Sequence, residues 1–312
     1  MINRRNLIKK SFIGSLGTGG LLGLSACEKS SMGPAAPLSY EFTAGKPMPW
    51  INWAKNQGCL PAKRIAPQSE DELCELLKAN HSSRMRPVGA GHSFSAIVPT
   101  EGTLISTDLL NGIISTDSQA NTARVWGGTR LHQLGPALDS YGLALTNWPD
   151  INYQTLAGAI STSTHGSGAA LGSLSSMVNE LTIATPAGEL ITCSASTRPE
   201  LFNAARCGLG ALGIITQVNL DTTAAFNLAQ TTAVEPLADV LNNIDQEKER
   251  NRHFEFLAFP HTSQALVVRT NPIDAAAPIT TFGEEDPTAI YQIREAYQKL
   301  GILPLVGEYA YQ

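Results

Sequence analysis

The 312-residue chain is poor in charge and in aromatic side chains, at 16% and 6% of its residues. Its five cysteines, Cys27, Cys59, Cys74, Cys193 and Cys207, lack the paired short spacings that hold zinc, so no metal centre is expected. A disulfide is permitted among them but not specified. No apolar run is long enough to cross a bilayer as a stable helix. Basic residues are scarce as well, 22 Lys and Arg against 27 Asp and Glu, and no basic cluster lies beyond the first ten residues. Neutralising a phosphate backbone needs such a cluster, which argues against nucleic acid as a partner.

The basic charge that exists gathers at the start. Arg4, Arg5, Lys9 and Lys10 precede a glycine-rich, weakly apolar run from Ser11 to Ser25, the layout of a targeting segment over residues 1–26. Asn3 to Lys9 resembles the twin-arginine export signal, whose route carries proteins already folded, often around a cofactor. Leu24-Ser25-Ala26-Cys27 resembles the lipobox, in which the cysteine is diacylated and becomes the new N-terminus. The expectation is a periplasmic-side lipoprotein, held to the membrane through Cys27, with residues 27–47 as a linker of Ser, Pro and Ala composition. An ordinary signal peptide or an uncleaved basic N-terminus are the alternatives.

Beyond the linker, short helices mix with strands. Ser69-x-x-Glu72 is a capping box, and Leu73, Leu76 and Leu77 follow at helical spacing. Met85 to Val88 reads as a strand running into Gly89-Ala90-Gly91-His92-Ser93. A helix is predicted from about Thr129, with Leu131, Leu134 and Leu138 on one face and Gly142 as its stop. Strands are expected at 103–107 and 123–126. Leu181 to Cys193 reads as a hairpin across Pro186-Ala187-Gly188, followed by a helix from Pro199 and a strand from Gly213 to Leu220. Two further strands, His253 to Phe259 and Gln264 to Arg269, look like a different sheet. Hairpins mixed with crossovers predict an α+β fold with a domain boundary near Thr222.

Gly208-Leu209-Gly210-Ala211-Leu212-Gly213 matches the dinucleotide fingerprint letter for letter. In that fingerprint the glycines leave a strand and open a helix, whereas here the helix comes first and the strand after, so a nicotinamide-binding reading is set aside. The Gly89 to Phe94 turn is more informative, because paired glycines let backbone N–H groups approach a diphosphate. Thr155 to Gly168 adds a long run of small residues on which a planar ligand can lie; a helix start with a polar loop is its plainer meaning.

Arg86 to Phe94 (R-P-V-G-A-G-H-S-F), Pro149 to Gly168 (P-D-I-x-x-Q-T-L-A-G-A-I-S-T-S-T-H-G-S-G) and Cys207 to Thr216 (C-G-L-G-A-L-G-I-I-T) together resemble the FAD domain of the sugar 1,4-lactone and alditol oxidases, of the vanillyl-alcohol-oxidase type. Trp50-Ile51-Asn52-Trp53 and His253 to His261 fit the same family. The resemblance implies a two-subdomain PCMH-type FAD domain over 48–222 and the start of a substrate (cap) domain over 223–312.

It further implies FAD carried covalently on His92, with Gly89, Ala90, Gly91 and Ser93 around the diphosphate and Phe94 also among the cofactor-binding residues. Ser161, Thr164, His165, Gly166 and Ser167 would lie along the isoalloxazine and ribityl chain, His165 otherwise serving only to fix its loop. Ile151, Thr155 and Gly158 would support the dimethylbenzene side. Gly210, Gly213 and Ile215 would lie near the adenine half. The implied reaction is oxidation of a CH–OH group of a sugar lactone or polyol, with electrons passed to dioxygen, or to a cytochrome or quinone. Members of the family carry a late His-Trp-x-Lys segment that this sequence lacks before Gln312, so an incomplete substrate side and an inactive flavin-binding form is a further alternative. Glu255 and Arg269 are the remaining substrate-side candidates.

Overall fold

The computed structural model describes residues 48–274 apart from His81 and His261, together with Leu38, Ala44 and Gly45. The expected export signal, Cys27, most of the expected linker, and the stretch beyond residue 274 lie outside the described residues.

Strands β1 (Trp50–Ile51) and β2 (Gly58–Cys59) form a small hairpin. Next come β3 (Lys63–Ile65), α1 (Glu70–Ala79), β4 (Met85–Val88) and β5 (Thr103–Ser106), whose three strands make a parallel sheet in the order β3-β5-β4. The capping box forms at the head of α1: Ser69 Oγ accepts from the Glu72 N–H at 3.1 Å, and the Glu72 carboxylate accepts in turn from the Gln68 N–H at 2.7 Å. The apolar stripe of α1 buries Leu73 and Leu77 with Ile105, Leu110, Ala184 and Ile214. Each such leucine removed from water contributes about 1.5–3 kcal/mol.

A second, antiparallel sheet of five strands follows. It contains β6 (Ile113–Asp117), β7 (Thr122–Trp126), β9 (Val178–Ala184), β10 (Leu190–Ser194) and β11 (Ile214–Asp221), in the order β10-β9-β11-β7-β6. The expected hairpin is present, with Leu190 opposite Ala184 and Ser194 opposite Glu180. The main core lies against this sheet and is built by α2 (Leu131–Asp139), α3 (Leu156–Ser161) and α4 (Pro199–Ala205), with Leu131, Leu134, Leu138, Leu156 and Ile160 inside. Short strands β8 (Leu143–Ala144) and β12 (Thr223–Ala224) pair beside it.

The two halves are locked together at the helix start. Glu70, in the first turn of α1, accepts from Thr216 Oγ1 at 2.5 Å and from Gln217 Nε2 at 2.9 Å on β11. Thr216 is fully buried, so this link also satisfies a hydroxyl that water cannot reach.

From Asn227 a separate three-stranded antiparallel sheet begins: β13 (Asn227–Pro236), β14 (His253–Ala258) and β15 (Gln264–Ile273), in the order β13-β15-β14. Helix α5 (Leu237–Arg250) covers one face of it through Val240, packed with Ala265, Val267, Phe254 and Phe256. The mixed content agrees with the α+β expectation. The four described cysteines are free thiols.

Candidate functional site

A cleft of about 260 Å³ is lined by the end of β4 with the turn after it, the first turn of α3 with the segment before it, and the start of β11 with the loop before it. These three stretches are far apart in sequence. The first supplies Gly89, Ala90, Gly91, His92 and Ser93. From the second come Gln154, Thr155, Gly158, Ser161 and Thr162, and from the third Leu209, Gly210, Gly213 and Ile215.

Local chemistry places each stretch. The first-turn N–H groups of α2 have no side-chain cap and donate instead to the 152–154 segment, Leu131 to the Gln154 carbonyl at 3.0 Å and His132 to the Asn152 carbonyl at 2.8 Å. That fixes Gln154 at the cleft wall. Thr155 then caps α3, its hydroxyl accepting from the Gly158 N–H at 3.3 Å. Gly91 takes φ +72°, a left-handed conformation that closes the turn in front of His92. Burial, and secondarily the positive charge of Arg130, lower the pKa of His92 below its ordinary value.

The fingerprint-like glycines stand between α4 and β11, helix first and strand after, the order that sets a nicotinamide fold aside.

Several expected site residues are not among those lining this cleft. Phe94 is 62% exposed just past the turn, and Ile151 is 49% exposed. Thr164, His165, Gly166 and Ser167 do not line the cleft. Gly166 approaches the backbone of Asn147 and Trp148 so closely that an added Cβ would fall 2.1 Å from the Trp148 carbonyl oxygen. His165 Nδ1 donates to the Gly166 carbonyl at 2.9 Å, a loop-fixing contact. The Ser167 carbonyl accepts from His253 Nδ1 at 3.0 Å, which ties the loop to the head of β14. Gly166 therefore permits a close backbone approach that a side chain would block.

Arg269, expected as a substrate-side candidate, is engaged with carboxylates of its own sheet and helix. Its guanidinium is clamped by Glu235 at 2.6 and 3.0 Å and by Glu247 at 2.8 and 2.9 Å, a network that ties β13 and α5 to β15. Both carboxylates are held below the usual range, chiefly by these hydrogen bonds. Glu255, two residues along β14 from the Ser167 contact, has its carboxyl pKa raised by burial and then by the negative charge of Asp150.

Residues 61–194 match the FAD binding domain family, and residues 218–294 match the D-arabinono-1,4-lactone oxidase family. Over both stretches the chain is similar to FAD-linked oxidases. Among FAD-linked oxidases and their relatives, an L-gulono-1,4-lactone dehydrogenase of Mycobacterium tuberculosis is 37% identical over 219 residues, 70% of this chain and 50% of that protein. An L-gulonolactone oxidase of Bos taurus is 36% identical over the same length. A putative D-arabinono-1,4-lactone oxidase of Neurospora crassa is 38% identical over 227 residues, 71% of this chain and 40% of that protein. The chain spans about half the length of the curated relatives it matches. The fold is also that of a cholesterol oxidase from Brevibacterium sterolicum, with a TM-score of 0.67 at 20% identity, covering 84% of this chain and 56% of that one.

The residues of the cleft fit the cofactor on two observations. None of the backbone N–H groups of Ala90, Gly91, His92 and Ser93 donates to another described residue, which leaves a run of donors for an anion. Gln154 Oε1 is buried without a donor, an acceptor that a bound group with N–H or O–H can satisfy. Gln154 was not singled out from the sequence. Its position between Ile151 and Thr155 in the quoted segment was the available signal.

Proposed function

We propose that this chain binds one FAD across the cleft, covalently through His92, and acts as an oxidoreductase on a CH–OH group of a sugar 1,4-lactone or alditol. Dioxygen is the electron acceptor in the leading reading, with a cytochrome or quinone as the alternative. The observation that carries the proposal is the convergence of the glycine turn at 89–93, the helix start at 154–162 and the loop at 209–215 on one cleft. Bound FAD supplies a two-electron acceptor for the hydride of a carbinol carbon.

The chain's own residues do the rest. The N–H groups at 90–93 hold the diphosphate, and Gln154 Oε1 accepts from a donor of the bound group. The carboxyl of Glu255, made a stronger base by burial, is the substrate-side candidate for taking the hydroxyl proton. The division into an FAD domain over 48–222 and a substrate domain over 223–312 belongs to the same proposal, supported by the change of sheet at Asn227.

Adding a sugar 1,4-lactone to the purified yellow protein without oxygen should bleach the flavin band within a turnover. Oxygen uptake against dye reduction then separates the acceptors. A band untouched by every 1,4-lactone and alditol tried rules the substrate class out. The export and lipid-anchor reading is part of the proposal too, supported by Arg4, Arg5 and the Leu24 to Cys27 segment. Cys27→Ser should move the protein from the membrane fraction to the soluble periplasmic fraction, and an unchanged distribution would remove the anchor.

A further inference from the structure

The turn that carries His92 is gripped from outside the cleft by the 52–57 segment between β1 and β2. Trp53 N–H donates to the Gly91 carbonyl at 2.9 Å. Asn52, 3% exposed, donates from Nδ2 to the Ser93 carbonyl at 3.0 Å. Asn56 Nδ2 and Gln57 Nε2 both donate to the Phe94 carbonyl, at 3.2 and 3.3 Å. Asn52 is itself pinned, its Oδ1 accepting from the N–H groups of Asn56 and Gln57 at 3.0 Å each. Carbonyls on both sides of His92 are thereby fixed.

Fixing the backbone does not fix the ring. An imidazole on a rigid turn still chooses among staggered χ1 wells and a broad, roughly two-fold χ2. The one ring contact His92 makes among the described residues is with Trp53, a stack with centroids 5.4 Å apart and planes 25° from parallel. Phe94 also meets the indole, edge-on at 6.3 Å and 80°. The indole is 63% exposed, so it fills no core position, and its burial against other apolar groups does not explain it.

We propose that Trp53 is a positioning residue for His92, covering one face of the imidazole so that the ring stays in the orientation that turns a nitrogen into the cleft. The inference rests on the reading of His92 as the flavin-linking residue. Linking replaces one imidazole N–H and one C–H of the flavin 8α methyl by an N–C bond, and dioxygen takes up the two protons and two electrons as hydrogen peroxide. The attacking nitrogen must lie on the line of that methyl, so an imidazole free to turn toward solvent links more slowly.

The test uses the full-length chain as Trp53→Ala and Trp53→Phe, prepared without flavin and then given FAD under air. Two readings are taken. The first is the rate at which flavin becomes resistant to denaturation; the second is the ring-current shift of the His92 Cε1 proton in the NMR spectrum. Trp53→Ala is expected to slow linkage about five- to tenfold and to abolish the shift, with total FAD bound unchanged, while Trp53→Phe restores most of both. Because the indole is exposed, neither change removes core packing. A His92 shift that Trp53→Ala leaves unaltered overturns the proposal, as does a linkage rate that does not change. If the wild-type protein releases all its flavin on denaturation, the covalent reading of His92 fails separately, and the positioning proposal stands or falls on the NMR shift.

Discussion

Acid precipitation of the purified protein is expected to leave its yellow colour on the polypeptide, and His92→Ala is expected to release all of it to the supernatant. The effect should be all or none, because the described cleft offers no second nucleophile. Its other polar side chains are Arg86, Ser93, Thr107, Gln154, Thr155, Ser161 and Thr162, none of them nucleophilic at neutral pH without a base. Cys207 does not line it and lies beside Ser163 instead, 3.7 Å from that hydroxyl. Binding itself should survive in His92→Ala, since the turn is held by Asn52, Asn56 and Gln57 and its N–H donors belong to the backbone.

A pH series sharpens this expectation. The linking imidazole has to be neutral, and burial followed by the charge of Arg130 keeps His92 neutral below the ordinary histidine range. Arg130 is itself oriented by Asp108 at 2.5 Å and by the Tyr153 carbonyl at 3.3 Å. Linkage in flavin-free protein given FAD should therefore continue as the pH falls past about 6.5, the unfolded-state value, and be lost only lower. Arg130→Gln should move that midpoint upward, because removing a positive charge makes protonation easier. The same shift acts on stability. The unfolded chain takes up a proton near 6.5 while the folded one does not, so His92 costs stability progressively as pH falls through that window, and costs nothing above it. Flavin that leaves the wild-type polypeptide on precipitation would end the covalent assignment.

What could be read from the sequence was whatever has a local cause. Ser69 and Glu72 announce α1 because a cap acts within one turn, and the pattern from Leu181 to Cys193 announces a hairpin because its turn lies between its strands. The His92 turn was legible for the same reason, with two glycines and a histidine in one short run. Helix α5 was missed although Leu237, Val240, Leu241 and Ile244 stand at helical spacing, a signal masked by the surrounding charge of Asp239, Asp245 and Glu247 to Arg250. The remainder of the cleft had no local cause. Leu209 and Ile97 are ordinary apolar residues until the chain brings them beside Gly89. Gly166, expected as a flavin contact within the 164–167 stretch, also lets its own backbone approach that of Trp148. Glycine and serine allow either outcome, and only the partner decides which.

Gly213→Ala is expected to damage fold and cofactor site together. This residue immediately precedes β11 at φ +138°, a conformation that a side chain rarely adopts, and it lines the cleft beside Ile214 and Ile215. An added Cβ would fall 2.5 Å from the Ala184 carbonyl oxygen and 2.8 Å from Ile183 Cγ2. Both neighbours belong to β9, the strand paired with β11, with Ile214 opposite Ala184 and Ile215 opposite Ile183. Relief requires β11 to pull away from its partner at the point where the small α1 core and the large sheet meet. Backbone strain contributes about 1–3 kcal/mol and forced overpacking about as much again. The expected fall in Tm is roughly 4–24 °C, at about 2–4 °C per kcal/mol for a chain of this size. Gly142→Ala is the matched control, since it has φ +68° but no atom within 4 Å of its added Cβ, so it carries strain without the clash. Calorimetry on both variants isolates the steric part. The flavin-to-protein ratio should fall in Gly213→Ala and hold in Gly142→Ala, because displacement of β11 shifts one wall of the cleft while the 142 turn touches none. Equal Tm values with full flavin in both would mean that the close approach of Gly213 to β9 supports neither the sheet nor the cofactor.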